Sequence, residues 1–431
     1  MLAAGFTGVF GSLQGFPSYP LAQAAFTLTP SPGLERGLTY RGAGTAVKPP
    51  YLLHETISPP LAGEQAGVES VKYGMLGRDR HKQKETRMPT KQATAIAPAN
   101  IAFIKYWGIQ DTTRTLPFNG SISLNLDRCL TTTTVTFDPD MAEDTLMLQL
   151  YGGPGAEPSP PQATTGRALE RVVAQLDRLR TLAGVAAHAR VDSANNFPSD
   201  AGIASSAAAF AALTLAGAAA LGLDLDERQL TLLTRQSGSG SACRSIPNGY
   251  VEWVIPAGPF DAALWDVESY AVSLAPPEHW QLADVVAVVD AGAKKIGSAE
   301  NHRLAASSAY FPARLAEVPA RLAAAREAIA RRDLELLGET MEADAVSMHV
   351  VCMTSSPPSF YWNGATLEII HAVRGWRAQG LQSYFTIDAG PNVHVICAAA
   401  DRDELARRLA ELPGVQFTIV NRGGAGARVI R

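Results

Sequence analysis

At 431 residues the chain is long enough for two domains with sizeable cores. A formal net charge of −4 leaves no electrostatic footprint for nucleic acid, and no apolar run reaches the length of a membrane span. Cys129, Cys243, Cys352 and Cys397 stand far apart with no Cys-x-x-Cys pair, which argues against zinc and disulfide frameworks and fits a reducing cytoplasm.

Residues 1–87 read unlike the rest. Glycines and Ser12 interrupt any apolar signal region, and Arg78 to Arg87 is a charged run expected to be a solvated linker. The segment is read as a disordered extension, or as a start placed too far upstream with Met88 the natural beginning; a regulatory tail or targeting peptide is the alternative. From Met88 the texture is globular. Thr94 to Ile104, Ser121 to Leu126 and Thr131 to Phe137 read as strands. Tyr151 to Gly166, rich in Gly and Pro, reads as a surface loop. A helix over Arg167 to Gly184 and a strand over Ala187 to Asp192 follow.

The stretch from Asn195 to Gly222 combines a tight turn marked by Pro198 and Gly202 with an alanine-rich helix. The first turn of such a helix offers unpartnered N–H groups at its positive end, and Gly202, Ala204, Ser205 and Ser206 are small enough to admit an anion. Composition alone also fits a plain buried core helix with a polar cap. Asp226 to Gln236 is a shorter helix with Asp226 at its N-cap, and Gly249 to Ile255 is a strand.

A boundary near Ala275-Pro276-Pro277 separates a domain over 88–275 from one over 276–431. The second holds a strand (Val285 to Asp290), two or three helices within Pro312 to Met348, and a helix from Thr366 to Gln379 closed by Gly380. Strand Gln382 to Ile387, strand Val393 to Ala398, helix Asp401 to Leu412 and strand Gln416 to Asn421 complete it. That order suggests a split βαβ sheet with helices on one face, so the class is α+β.

Polar residues gather beside glycine in Asn100 to Gly108, Asn196 to Ser206, Ser237 to Ser245, Lys294 to Arg303 and Asp388 to Asn392. Three runs carry most of the information: Ala97-Pro98-Ala99-Asn100 through Lys105-Tyr106-Trp107-Gly108, Asn196-Phe197-Pro198 through Ser205-Ser206, and Gly238-Ser239-Gly240-Ser241-Ala242-Cys243-Arg244-Ser245. Met341 to His349, Pro357 to Tyr361 and Asp388-Ala389-Gly390-Pro391-Asn392 add to them. From Met88 onward the chain resembles the diphosphomevalonate decarboxylase family, within the wider group of galactokinase, homoserine kinase and mevalonate kinase. The resemblance implies a two-domain GHMP-kinase-like fold, with an N-terminal domain like ribosomal protein S5 domain 2 and a ferredoxin-like C-terminal domain. It implies ATP and Mg2+ as cofactors, decarboxylation of a phosphorylated mevalonate after its C3 hydroxyl is phosphorylated, and a homodimer in many members.

The site residues follow from the same resemblance. Asp388 matches the catalytic aspartate facing the C3 hydroxyl, where a turn-capping Asp is the bland alternative. Arg244 matches the arginine that grips the substrate carboxylate, with Asn100 beside it. Ser239, Gly240 and Ser241 match donors to the substrate phosphate, Tyr106 a phosphate-contacting hydroxyl, and Lys105 a nearby catalytic cation. Pro198, Gly202, Ala204, Ser205 and Ser206 match the cradle for the ATP phosphates, with a serine hydroxyl near Mg2+; no other metal ligand is assigned.

Two departures stand out. Ile109 follows Trp107-Gly108 where the family commonly has lysine, and Asp200 adds negative charge to the phosphate loop; both point to a less charged tail such as a 5-monophosphate. Lys294, Lys295 and Arg303 are the possible compensation, and the stretch from Ile296 to His302 also leaves the family pattern. His349 and His394 lie in apolar surroundings and read as packed, hydrogen-bonded histidines. A kinase that stops at the 3-phosphate, and a non-catalytic ligand sensor, are the competing functions.

Overall fold

The computed structural model describes residues 89–431 except 152, 200–201 and 293–296. The readings of residues 1–87 and those at Asp200, Lys294 and Lys295 fall outside them.

β1 (Lys91–Ile104) is buried along nearly its whole length. A short ribbon, β2 (Ile109–Asp111) and β3 (Leu116–Pro117), leads into β4 (Ser121–Asp138). Two strands were expected here, but one 18-residue strand runs through. Its pairing with β1 jumps from Leu130 to Asn125, so residues 126–129 form a bulge in the ladder instead of a break. β5 (Thr145–Gln149) and β6 (Gln162–Thr164) follow, the latter a short edge strand inside the stretch read as loop. Next come α1 (Arg167–Ala183), β7 (His188–Asn195), α2 (Ser205–Leu221), α3 (Glu227–Arg235), β8 (Tyr250–Trp253), α4 (Ala262–Glu268) and β9 (Ala271–Ala275). α1 and α2 end at left-handed Gly184 and Gly222, and Asp226 caps α3 through a reciprocal capping box with Gln229.

The second half contains β10 (Leu282–Val288), α5 (Ser298–Leu304), α6 (Phe311–Arg331), α7 (Leu334–Thr354), α8 (Gly364–Ala378), β11 (Ser383–Thr386), β12 (Val393–Ala398), α9 (Arg402–Ala410) and β13 (Phe417–Arg422). β14 (Arg428–Val429) then returns to pair with β1.

The larger sheet runs β14-β1-β4-β7-β5-β6, with β8 and β9 continuing from the first half of β4. Its pairings are antiparallel except β5 beside β7. α1 and α2 cover one face, where Leu176, Leu179, Phe210 and Leu213 meet Val135, Phe137 and Val191. The smaller sheet, β11-β12-β10-β13, is antiparallel. Helices on one face only were expected. α8 and α9 do cover one face, but the other is apolar too. There Val286, Tyr384 and Ile396 join Leu337 and Met341 of α7, Val318 and Leu322 of α6, and Ile101 and Leu124 of the larger sheet in one core. That shared core brings the ends of β1 and β11 together, and the candidate site lies there.

Candidate active site

Lys105 follows directly on β1 and Asp388 follows closely on β11. The Lys105 ammonium sits 2.5 Å from the Asp388 carboxylate and also donates to the Ala102 carbonyl at 2.7 Å. Burial lowers the Lys105 pKa. Burial alone would raise that of Asp388, but the Lys105 charge, aided by His394 and Arg244, holds its carboxyl below the ordinary value. The Asp388 carboxyl is therefore ionised near neutrality, while Lys105 is drawn two ways, burial working against its charge and Asp388 for it.

The backbone of Lys105 is gripped from both sides. Its N–H donates to the Asp344 carboxylate at 2.7 Å, while its carbonyl accepts from Arg314 at 3.1 Å and Asn119 at 2.9 Å. Arg314 and Asp344, from α6 and α7, form a buried ion pair at 3.0 Å. The turn after Asp388 is tied down by Asn392, whose side-chain oxygen accepts from the amides of Val289 and Asp290 at 2.7 and 3.0 Å. Behind this pair, burial followed by the nearby Lys105 charge pushes the His349 imidazole down to about 3, so it stays neutral. His394 is hydrogen-bonded to Asp284 at 3.0 Å. Both histidines are packed as expected.

Arg244 lies in the short helical turn Gly240–Ser245 and is 3 % exposed. Its guanidinium donates to Ser123 Oγ at 2.9 Å, Ser121 Oγ at 2.5 Å and Asn100 Oδ1 at 3.0 Å. These partners are neutral, and among the described residues no carboxylate lies at ion-pair distance from it. A guanidinium has five N–H groups, so one hydrogen on each terminal nitrogen remains for a planar anion. A buried cation supported only by neutral oxygens favours an anionic ligand.

The tip of α2 opens beside this pair. No side chain caps the helix, and Ala204 precedes it in the left-handed region. Gly202, with φ of +81°, runs so close to the Asp388 turn that a Cβ there would lie 2.9 Å from Gly390 Cα. The small-residue turn and the aspartate turn thus touch.

One cleft of about 430 Å3 collects Lys105, Tyr106, Ser241, Arg244 and Asp388 with Gly202, Ala204, Ser205 and Ser206. Four other sequence candidates stand behind its wall. Asn100 is buried and spends its amide nitrogen on Ser245 Oγ (2.8 Å) and the Ser241 carbonyl (3.2 Å), so it positions Arg244 and its loop. Ser239 Oγ lies 3.2 Å from Ser206 Oγ and links the two loops. Gly240 packs on Trp253, and Pro198 is buried. Ile109 is half-buried on the ribbon, outside the lining of the cleft.

Sequence reasoning missed Arg167 and Arg171, which reach the cleft from the first turns of α1, and His302 on α5. It also missed the Arg314–Asp344 pair. A signal for that pair was present: Arg314 falls on the stripe Phe311, Val318, Leu322, Ala325, and Asp344 on the stripe Leu337, Met341, Met348. A charge on an apolar stripe needs a buried partner. A second, apolar recess of about 170 Å3, walled by Leu146, Leu148, Val191, Phe210 and Leu213, adjoins the cleft and shares Arg171, Ser205 and Ser206 with it. Among the described residues no helix is long and apolar enough to cross a membrane, and no cluster of three His, Cys, Asp or Glu side chains is placed to hold a metal.

Comparison with known proteins bears on the family of the chain. A diphosphomevalonate decarboxylase-like N-terminal domain model matches residues 97–259, and a mevalonate 5-diphosphate decarboxylase C-terminal domain model matches 284–419. The diphosphomevalonate decarboxylase of Candida albicans is 36 % identical over 334 residues, covering 75 % of this chain and 90 % of that protein. That of Saccharomyces cerevisiae is 34 % identical over 339 residues, covering 76 % and 83 %. Among solved structures, the mevalonate diphosphate decarboxylase of Enterococcus faecalis superposes with a TM-score of 0.70 at 33 % identity, over 79 % of this chain and 99 % of that one. A further solved complex, of MDDEF with MVAPP, AMPPCP and magnesium, matches with a TM-score of 0.70 at 34 % identity, over 79 % of this chain and 99 % of that one.

Proposed function

The chain belongs to the diphosphomevalonate decarboxylase family, and on that premise we propose that its cleft carries out ATP-dependent decarboxylation of a 5-phosphorylated mevalonate. The observation that carries the reading is the buried Arg244, supported by neutral oxygens alone, in one cleft with the Lys105–Asp388 pair. ATP with Mg2+ supplies the phosphoryl group that turns a poor leaving hydroxyl into a good one. The α2 tip and Ser205–Ser206 suit its phosphates, with a serine hydroxyl near the ion, and the apolar recess beside them suits the adenine.

Arg244 holds the substrate carboxylate with its two outward N–H groups. Asp388 accepts the C3 hydroxyl's hydrogen bond and aims its lone pair. A carboxylate kept ionised by Lys105 is a weak base, and a loose phosphoryl-transfer transition state asks little of one. The hydroxyl oxygen forms its bond to the γ-phosphorus, ADP departs, and the proton passes to Asp388. The C3–O bond then breaks with its electron pair on phosphate, and the pair of the bond to the carboxylate becomes the new C=C bond as CO2 leaves. Arg244 must hold the carboxylate without overstabilising it, and its charge shared among three neutral partners suits that task.

Ile109 stands outside the cleft lining but only two residues from Trp107, which is part of it, and an apolar side chain there, where the family resemblance leads one to expect lysine, supports the 5-monophosphate over the diphosphate. All four cysteines are buried and free, which supports a cytoplasmic setting. The test is a side-by-side assay of the full chain with 5-phosphomevalonate and 5-diphosphomevalonate, following ADP and CO2. Equal release of both products is expected, with the higher kcat/KM for the monophosphate. ADP without CO2 would make it a 3-kinase, and no turnover of either would leave a binding protein.

A further inference from the structure

We propose that Glu300 is a specificity-determining residue whose negative charge works against a second phosphate on the substrate tail; the assignment rests on reading the cleft as a mevalonate-phosphate site. The start of α5 supplies one run of the cleft lining: Gly297, Ser298, Ala299, Glu300 and His302. That run meets Tyr106, since the His302 ring stacks on the Tyr106 ring with 4.1 Å between centroids and 22° between planes. Tyr106 is the hydroxyl read as facing the 5-phosphoryl group. Glu300, two residues from His302, therefore belongs to the tail end of the cleft, and Arg244 to the carboxylate end.

A carboxylate in a cleft built for anions is expected to have a cation beside it. Glu300 is exposed and has none: among the described residues no Arg, Lys or His stands at ion-pair distance from it. Arg167 in the same lining and Arg303 further along α5 are no exception. An uncompensated charge is a means of rejecting one partner over another. Two unit charges several ångströms apart at a wet surface repel by enough to change an equilibrium constant a few-fold. A diphosphate carries more charge than a monophosphate, so the penalty appears in the ratio between the two substrates. A glutamate in the first turn of a helix also suits the helix dipole. That role would show in stability and leave the ratio where it was.

The test uses the full-length protein with saturating ATP and Mg2+, following ADP, and compares kcat/KM for 5-diphosphomevalonate with that for 5-phosphomevalonate. Glu300→Gln should raise that ratio roughly fivefold, and Glu300→Lys should raise it further, whichever substrate the wild type prefers. Salt gives a second readout. Between about 0.01 M and about 0.15 M ionic strength the repulsion is increasingly screened, so the wild-type ratio should rise. The rise should be smaller in Glu300→Gln. A folded Glu300→Gln protein with an unmoved ratio overturns the proposal, as does a change confined to KM for ATP, which would put the carboxylate at the nucleotide. A wild type that releases ADP without CO2 overturns the parent reading alone, and the ratio still decides Glu300. No turnover of either substrate overturns both.

Discussion

The Lys105–Asp388 pair makes two demands that pull against each other. Burial disfavours both charges, and each works against that penalty in the other. Asp388→Asn should lower kcat by roughly 10²–10⁴-fold, the range expected of a group that handles a proton, while an ATP analogue binds nearly as before. A residual rate within a few-fold of wild type would remove Asp388 from the chemistry. Lys105→Met tests the coupling. With the ammonium gone, burial is opposed only by His394 and Arg244, and the Asp388 pKa should rise. As pH falls, the variant's remaining kcat/KM should therefore drop at a higher pH than the wild type's, and superimposable acid limbs would show that Lys105 does not set the charge. Asp388, Arg244 and Lys105 were legible in the sequence because each sits in a short run whose neighbours are distinctive. Asn100 was legible as a partner of Arg244, but not as one standing behind the wall: strand register decides which way its amide points.

Elements hold these side chains in place through contacts that a linear reading passes over. α6 and α7 each carry one charge on an otherwise apolar stripe, and the two meet behind the Lys105 backbone. Asp344→Asn leaves Arg314 buried without its counter-ion and should cost roughly 3–5 kcal/mol, measured by denaturant unfolding. A loss under 1 kcal/mol would mean that Arg321, 3.3 Å from the same carboxylate, or local rearrangement compensates. The Gly202 turn gives a sharper case. An alanine there must adopt a left-handed conformation, at roughly 1–2 kcal/mol, and push against Gly390. Gly202→Ala should therefore lower kcat/KM for ATP by roughly a hundredfold, as expected when reacting groups are displaced by about an ångström, while most of the fold's stability survives. Activity near wild type would show that the two turns move apart without consequence. The helices and strands themselves were largely readable from periodicity, whereas β6, α4 and α5 were not, being too short to show a period.

Across the whole molecule, the α+β order was plain from the alternation of elements, but the way the two sheets share a core was not. That junction depends on both faces of the smaller sheet being apolar, which six-residue strands barely reveal. Nor did the sequence disclose where the chain's last described strand goes. Thr94 of β1 bonds to Ile430 and Arg431, and Ala95 and Ile96 lie opposite Val429 and Arg428. The strand that leads to Lys105 thus has its outer rim covered by residues made more than three hundred positions later. During synthesis, the first half leaves the ribosome with that rim bare, free to zip onto a neighbouring nascent chain. A chain cut before residue 428 should therefore expose the edge at Thr94 to Ile96 and self-associate more readily than the full chain, as light scattering would show.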